Sequence, residues 1–460
     1  MTTASTRPQF SSRLGFIMAA TGSAVGLGNI WGFPTQTAEN GGAAFVLAYC
    51  VLAFVLAYPA LMAELVIGRH RRANIVTALG GLNPNATLRR IGSAAGLYGV
   101  AIASLILAFY SLVGGWMIAH TLQPGIELIA STVNISADLS TSIEAGTTWL
   151  TTQTPWRDII FCSLFMTLTV GIVAAGVGRG IERWSTRLMP TLIILMIVLM
   201  IYVWSLEGAG EGLRLLLVPD VSRLANPALL VSAMGQAFFS LSLGVGTMLI
   251  YGSYINPDAS LPTTGAIVTA VDMAIALLAG LLIIPAIFAA QHLGIVIYDE
   301  AGVLRSGPGL IFQTLPALFN AVGTIGQIVA SGFFALLTIA ALTSSISMLE
   351  VPVAYLEENH RLSRHRAVAI AGLSIFSVSV VIAIYFHVLF DAVVNFTTEY
   401  SQPLLGIVLC VFAGWVMRRD HLLDTLGGSD SRLFNKIWPW YVRFICPLLI
   451  AAIFIQNLRT

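Results

Sequence analysis

Eleven stretches of this chain are long and apolar enough to cross a lipid bilayer, centred on residues 13–36, 42–68, 92–120, 157–177, 186–206, 227–255, 263–291, 325–356, 367–387, 389–417 and 437–457. A spanning helix needs about 20 mostly apolar residues, and a lone strand in hydrocarbon would leave its backbone N–H and C=O groups without partners. The expected fold class is therefore an all-α polytopic membrane protein. The composition agrees, with 57% hydrophobic and only 10% charged residues, outside the range of soluble globular chains. The first stretch lacks the compact apolar core and small-residue cleavage site of a signal peptide. Cys50, Cys162, Cys410 and Cys446 lie within or at the edges of apolar spans, so no disulfide framework is expected.

Charge placement orients the bundle. With the N-terminus in the cytoplasm, most of the 23 Lys and Arg fall on inner segments, among them Arg7, Arg69, Arg71, Arg72, Arg89, Arg90, Arg179, Arg183, Arg361, Arg364, Arg366, Arg418, Arg419, Arg432 and Lys436. Cytoplasmic loops carry such an excess. The segment from about 121 to 155 has no Lys or Arg, which suits an outer loop, and an odd number of spans leaves the C-terminus outside. A net charge of +1 gives no reason to expect a nucleic-acid partner. No Walker A sequence, metal-ligand Cys/His spacing or hydrolase elbow is present, so neither an ATP-driven pump nor an enzyme is expected.

Two spans carry residues that ill suit a continuous helix. The first holds 24-AVGLGNIWGFP-34 and the sixth 236-QAFFSLSLGVG-246. A shift of five spans is odd, so these two cross in opposite directions, the pattern of a 5+5 inverted repeat plus an eleventh transmembrane helix. The organisation expected is a cytoplasmic segment at 1–12, a first repeat at 13–206, a second at 207–417, and a cytoplasmic loop with the last helix at 418–460. Glycine in membrane helices is often a packing residue. Two Gly-x-Gly motifs at equivalent places, each beside Asn or Ser, point instead to broken helices, whose freed backbone groups need a polar partner at the midplane. In transporters that partner is the substrate with its coupling ions.

The runs 12-SRLGFIMAATGSAVGLGNIWGFPTQTAENGGAAF-45, 178-GRGIERWSTRLMPTLIIL-195, 307-GPGLIFQTLP-316 and 341-ALTSSISMLEVPVAYLEE-358, with the sixth-span motif, resemble the neurotransmitter:sodium symporter family over residues 7–417. The resemblance implies the LeuT fold and a sodium-coupled symporter working by alternating access. It places a substrate carboxylate on the amides of Leu27 and Gly28, with the Tyr110 hydroxyl as a further donor. The substrate amine faces oxygens near Ala24, Phe239, Ser240 and Ser242. Gly26 stands where the monoamine members carry an aspartate, which favours a free amino acid over an amine. Ser23, Ile106, Tyr110, Phe239, Val245, Ser344 and Met348 are expected to line the side-chain pocket. Val245 replaces a phenylalanine of LeuT, and Met348 is adaptable, so the pocket suits a neutral, hydrophobic or aromatic side chain.

The same resemblance implies two sodium sites. The first takes Ala24, Asn29, Ser240 and Asp272 with the substrate carboxylate; the second takes carbonyls of Gly22, Val25 and Ala340 with the hydroxyls of Thr343 and Ser344. Oxygen ligands suit hard cations. Read without the resemblance, such hydroxyls bond carbonyls of their own helix. Asp272, with Ala276 one turn on in place of a serine, implies that chloride is not required. Arg7 and Glu358 match an inner gate pair with Ser253, Tyr254 and Phe10 nearby, and Glu64 supports the broken sixth span. Tyr110 and Phe239 form an outer lid, but both halves of the outer ion pair are missing, at Gly32 and Val394; the 307–319 loop, Asp391 and Glu399 are the remaining candidates. The expected setting is a bacterial inner (plasma) membrane, as monomer or dimer, with an amino acid as the small-molecule partner. The alternative is an amino-acid-binding sensor with little flux. A channel is disfavoured because discrete ligands replace a continuous polar lining.

Overall fold

In the computed structural model, residues 7–132, 146, 148–150, 152–297, 309–426 and 432–458 are described. Most of 133–151 in the expected outer loop, and positions 307 and 308 of the expected lid loop, lie outside them. The regular elements among the described residues are all helices, without a strand. The helices are α1 (Arg13–Ala24), α2 (Gly28–Glu39), α3 (Ala43–Arg71), α4 (Ile75–Gly80), α5 (Ala86–Glu127), α6 (Pro155–Ala174), α7 (Val177–Trp204) and α8 (Ala209–Leu217). They continue as α9 (Pro227–Ser240), α10 (Thr247–Ser253), α11 (Leu261–His292), α12 (Leu310–Ala321), α13 (Thr324–His360), α14 (Arg364–Ile384), α15 (Phe386–Val416), α16 (Arg419–Leu426) and α17 (Phe434–Asn457).

Nine of these are long and apolar enough to cross a membrane, and α1 with α2 forms a tenth span bent by 57°. The sixth expected span is two pieces, α9 and α10, of 14 and 7 residues. Neither alone reaches spanning length, so only the pair can cross. Local chemistry sets the ends. The Ser12 hydroxyl accepts from Gly15 N at 2.9 Å to start α1, and Asn226, followed by Pro227, caps α9 through Ala228 N at 3.0 Å, both common N-terminal arrangements. The third and fifth spans run longer than their apolar runs suggest. Asn85 caps the start of α5 through Thr87 N at 2.9 Å, and α7 begins at Val177, carrying Arg179 and Arg183 beyond the apolar core.

The two broken spans lie inside the bundle. α1 packs on α13, α7 and α11, α10 on α3, and α2 on α11. The helices with the most exposed apolar faces, α7 and α17, lie at the outside, as expected for contact with lipid.

Candidate functional site

α1 stops at Ala24 because the backbone becomes extended at Val25, whose N–H reaches back to the Thr21 carbonyl at 2.7 Å. Gly26 and Leu27 then lead into α2. The Gly26 N–H is taken by Asn29 Oδ1 at 3.2 Å, and Leu27 N approaches the Tyr110 hydroxyl at 3.4 Å. A Cβ at Gly26 would lie 2.7 Å from Ser344 Oγ and 2.8 Å from the Tyr110 oxygen, so a side chain there would have to displace these hydroxyls.

The second break spans Leu241 to Gly246. Ser242, Gly244 and Gly246 take positive φ angles of 50°, 72° and 85°, open to glycine but costly for serine. The Ser242 hydroxyl donates to the Ser23 carbonyl at 3.0 Å, tying one break to the other. Glu64 Oε1 accepts from Gly244 N at 2.8 Å, and Gln402 Nε2 donates to the Leu243 carbonyl at 2.7 Å. Two side chains from other helices thus meet backbone groups that lipid cannot.

Between the breaks is a buried polar centre. Asn29 Nδ2 donates to Asp272 Oδ1 and to Ser240 Oγ, each at 2.8 Å, and Ser240 Oγ donates to Asp272 Oδ2 at 2.6 Å. The Tyr49 hydroxyl is 3.1 Å from Ser240 Oγ. Asp272 is 2% exposed and has no salt-bridge partner among the described residues. An ionised carboxylate there needs a cation, and the oxygens around it suit a hard one. Three of the four residues expected at the first sodium site are in direct contact; Ala24 is buried at the end of α1.

The expected second site is built by α1 against α13. Ser344 Oγ faces three carbonyls at the end of α1 and just past it, Val25 at 3.0 Å, Ser23 at 3.3 Å and Gly22 at 3.4 Å. Thr343 Oγ1 instead bonds within its own helix, to Ala340 O at 2.9 Å and Ile339 O at 3.2 Å. The two hydroxyls therefore divide between the cross-helix and the within-helix reading. Of the expected pocket, Ser23, Ile106, Tyr110, Val245, Ser344 and Met348 are buried, while Leu27, Gly28 and Phe239 keep part of their surface free. Ser23 Oγ donates to Ser347 Oγ at 2.7 Å.

At one face of the bundle Arg7 forms an ion pair with Glu358. Its Nε donates to Ser253 Oγ at 3.0 Å and its guanidinium lies 4.8 Å over the Tyr254 ring. Glu358 also accepts from Asn74 N and Nδ2 at 2.8 and 2.7 Å, and Phe10 packs edge-on against Tyr251 and Tyr254. Beneath this layer, Tyr254 OH donates to the buried Glu350 at 2.7 Å, and Glu350 pairs with Arg364 at 2.5 Å. On the opposite face the buried Arg157–Asp158 pair, at 2.8 Å, accepts from Trp116 Nε1 through Asp158 Oδ1 at 2.9 Å. Trp31, Trp116, Phe312 and Phe390 meet there, with Phe312 edge-on to Trp31 and Trp116 at 6.4 and 5.8 Å. Asp391 is exposed, and the Glu399 carbonyl accepts from Asn457 at 2.9 Å.

Sequence reasoning missed Tyr49, Gln402, Glu350 and Arg364. A glutamine and a glutamate inside apolar runs were the available signals for Gln402 and Glu350. Tyr49 gave none, since tyrosine is common in membrane helices.

A family model described as the sodium:neurotransmitter symporter family matches residues 7–127 and 153–460. The chain is 35% identical to a sodium-dependent transporter of Haemophilus influenzae, covering 98% of each chain, and 34% identical to a sodium-dependent transporter of Bacillus subtilis, covering 97% of each. The crystal structure of MhsT in complex with L-phenylalanine superposes with a TM-score of 0.82 at 38% identity, over 98% of this chain and 100% of that one. With the broken-helix architecture, these likenesses make the chain a sodium-dependent membrane transporter with the LeuT fold, belonging to the sodium:neurotransmitter symporter family.

Proposed function

We propose that the chain imports neutral amino acids with hydrophobic or aromatic side chains, coupled to sodium and independent of chloride. The observation that carries this reading is the pairing of Gly26 with the Asn29–Ser240–Asp272 centre. A substrate amine finds no carboxylate at position 26, where a side chain would have to displace the Ser344 and Tyr110 hydroxyls. The substrate must bring its own carboxylate, and the break beside the α2 N-terminus offers it amides and a favourable helix dipole. That carboxylate would share one sodium with Asn29, Ser240 and Asp272, which couples ion and substrate binding directly. A second sodium would lie among the Gly22, Val25 and Ala340 carbonyls, Thr343 and Ser344. Asp272 supplies a fixed negative charge beside the first sodium, so no chloride is needed there.

The bound phenylalanine of the similar MhsT supports an apolar substrate side chain, and the apolar Val245 and adaptable Met348 suit one. By charge bias the Arg7–Glu358 face is cytoplasmic and the C-terminus external. The test is uptake into proteoliposomes under an inward sodium gradient, with phenylalanine, tryptophan and leucine as labelled substrates. Concentrative, sodium-dependent uptake supports the reading. Competition by tyramine or tryptamine as strong as by tyrosine or tryptophan would refute the amino-acid assignment, and binding without accumulation would point to a sensor.

A further inference from the structure

The junction of α15 with α17 holds a second charged site, remote from the broken spans. α17 presses on α15 at Gly414, where a Cβ would lie 2.8 Å from Arg443 Cα. Trp415 Nε1 donates to the Arg443 carbonyl at 3.0 Å, and the Arg443 guanidinium lies 3.8 Å from the centre of the Trp415 ring. Phe444 sits 5.7 Å from the same guanidinium and stacks on Trp440 at 5.5 Å. With Arg419 at the start of α16, Arg443, Trp415 and Trp440 line a cavity of about 160 Å³. Its mouth is on the Arg7–Glu358 face: Asn83 beyond α4 bonds the Val416 carbonyl at 3.2 Å, and His421 of α16 stacks on His70 of α3.

Arg443 is an expensive residue in this position. It lies nine residues into α17, roughly 13 Å along the axis, among apolar residues where an unpartnered charge is unfavourable. α17 is the least buried of the spanning helices among the described residues. No described carboxylate pairs with Arg443, and its Nε is buried without a hydrogen-bond partner. The neighbouring Asp420 is 3.6 Å from Arg418 instead. Trp415 and Trp440 are 52% and 57% exposed, as rings at a membrane–water interface are, and Lys436 stands one turn before Trp440. A half-buried guanidinium whose Nε has no hydrogen-bond partner, a second arginine and two interfacial indoles describe a site that a phosphate would complete.

We propose that this cavity binds the phosphate of an anionic phospholipid headgroup, which enters from the lipid side between α15 and α17. Arg443 and Arg419 meet the phosphate, and Trp415 and Trp440 flank the glycerol and upper acyl region. The exposed indoles that line the cavity favour a lipid over a free anion. Basic pockets between membrane helices recognise such headgroups through the same chemistry.

Native mass spectrometry of the delipidated full chain, titrated with phosphatidylglycerol, phosphatidylcholine or inorganic phosphate, tests this. Phosphatidylglycerol should bind in preference to phosphatidylcholine, and inorganic phosphate should not displace it. Arg443→Gln and Arg419→Gln should each weaken phosphatidylglycerol binding about fivefold, the effect of one basic charge at an anionic surface. Arg366→Gln, an exposed arginine at the same face on α14, should leave it unchanged. Arg419 is exposed, so its substitution reads binding even if the Arg443 variant folds poorly. The proposal is overturned by unchanged phosphatidylglycerol binding in Arg419→Gln, by equal binding of the two lipids, or by displacement with inorganic phosphate.

Discussion

At the scale of single residues, the polar centre separates groups that sequence treats as equivalent. Thr343 and Ser344 are adjacent hydroxyls on α13, but Ser344 faces the carbonyls of Gly22, Ser23 and Val25 while Thr343 bonds its own helix. A sodium in the proposed second site would draw on Ser344 Oγ without first breaking an intrahelical bond. Ser344→Ala should therefore raise the sodium concentration for half-maximal substrate binding roughly tenfold, about 1.4 kcal/mol, and Thr343→Ala should raise it less. Equal, negligible shifts in both variants, measured by scintillation proximity, would return these residues to helix packing. Asp272 bears on chloride. Its carboxylate bonds Asn29 and Ser240, and Ala276, one turn on, offers no hydroxyl. Uptake should persist when chloride is replaced by gluconate. Asp272→Asn with Ala276→Ser removes the fixed charge and adds an anion donor, so this double variant should require chloride. Wild-type uptake that collapses in gluconate would sink the assignment.

At the scale of elements, the break between α9 and α10 is the part of the fold under most local constraint. Gly244 combines a φ of 72° with close approach to α15: a Cβ there would run into the Gln402 carbonyl and lie 3.1 Å from Gly406 N. Left-handed backbone costs a non-glycine residue about 1–2 kcal/mol, and overpacking against rigid backbone typically adds about 1–3 kcal/mol. Gly244→Ala should thus lower the thermal unfolding midpoint of the solubilised protein clearly more than Gly323→Ala, whose φ is 77° but whose Cβ would meet nothing within 4 Å. Equal shifts would mean that the break tolerates a side chain. The positions of the spans and of both breaks could be read from the chain because apolar runs, paired Gly-x-Gly motifs and flanking Asn and Ser are local signals. What satisfies the broken backbone could not. Gln402 and Tyr49 reach the site from distant spans, and their roles depend on helix rotation, which an apolar run with no polar stripe does not encode. The Glu350–Arg364 pair needs the α13–α14 hairpin to fold back, and Trp31 becomes part of an outer cluster only once α2, α5, α12 and α15 converge.

At the scale of the whole molecule, the two faces are closed by different chemistry. The face opposite Arg7 gathers aromatic rings beside the buried Arg157–Asp158 pair, whereas the Arg7 face joins three segments through charge: the N-terminal segment by Arg7, α10 and the residue after it by Ser253 and Tyr254, and α13 by Glu358. Glu182 of α7 adds a further hold, accepting from Ser11 N and Oγ at 2.8 and 2.6 Å. In the proposed alternating-access cycle the Arg7 contacts would exist only while this face is shut, so removing Arg7 should weaken the closed state and leave an open one untouched, which is how a population shifts. Arg7 is largely buried and has two polar partners and a ring beneath it, so its loss should exceed the roughly 0–1 kcal/mol of an exposed pair. Glu358 keeps Asn74 as a partner, which limits the loss. An increase of about fivefold to tenfold in the inward-open population follows from a difference of about 1–1.4 kcal/mol. Ala354 is buried one turn from both Glu350 and Glu358 on α13, so Ala354→Cys reports whether water reaches beneath the gate. Arg7→Ala should speed maleimide labelling of that cysteine several-fold in sodium, and substrate with sodium should slow it again by favouring closure. Labelling no faster than in the Ala354→Cys parent would mean that the inner face is held by Glu350, Arg364 and Glu182, with Arg7 only lying across it.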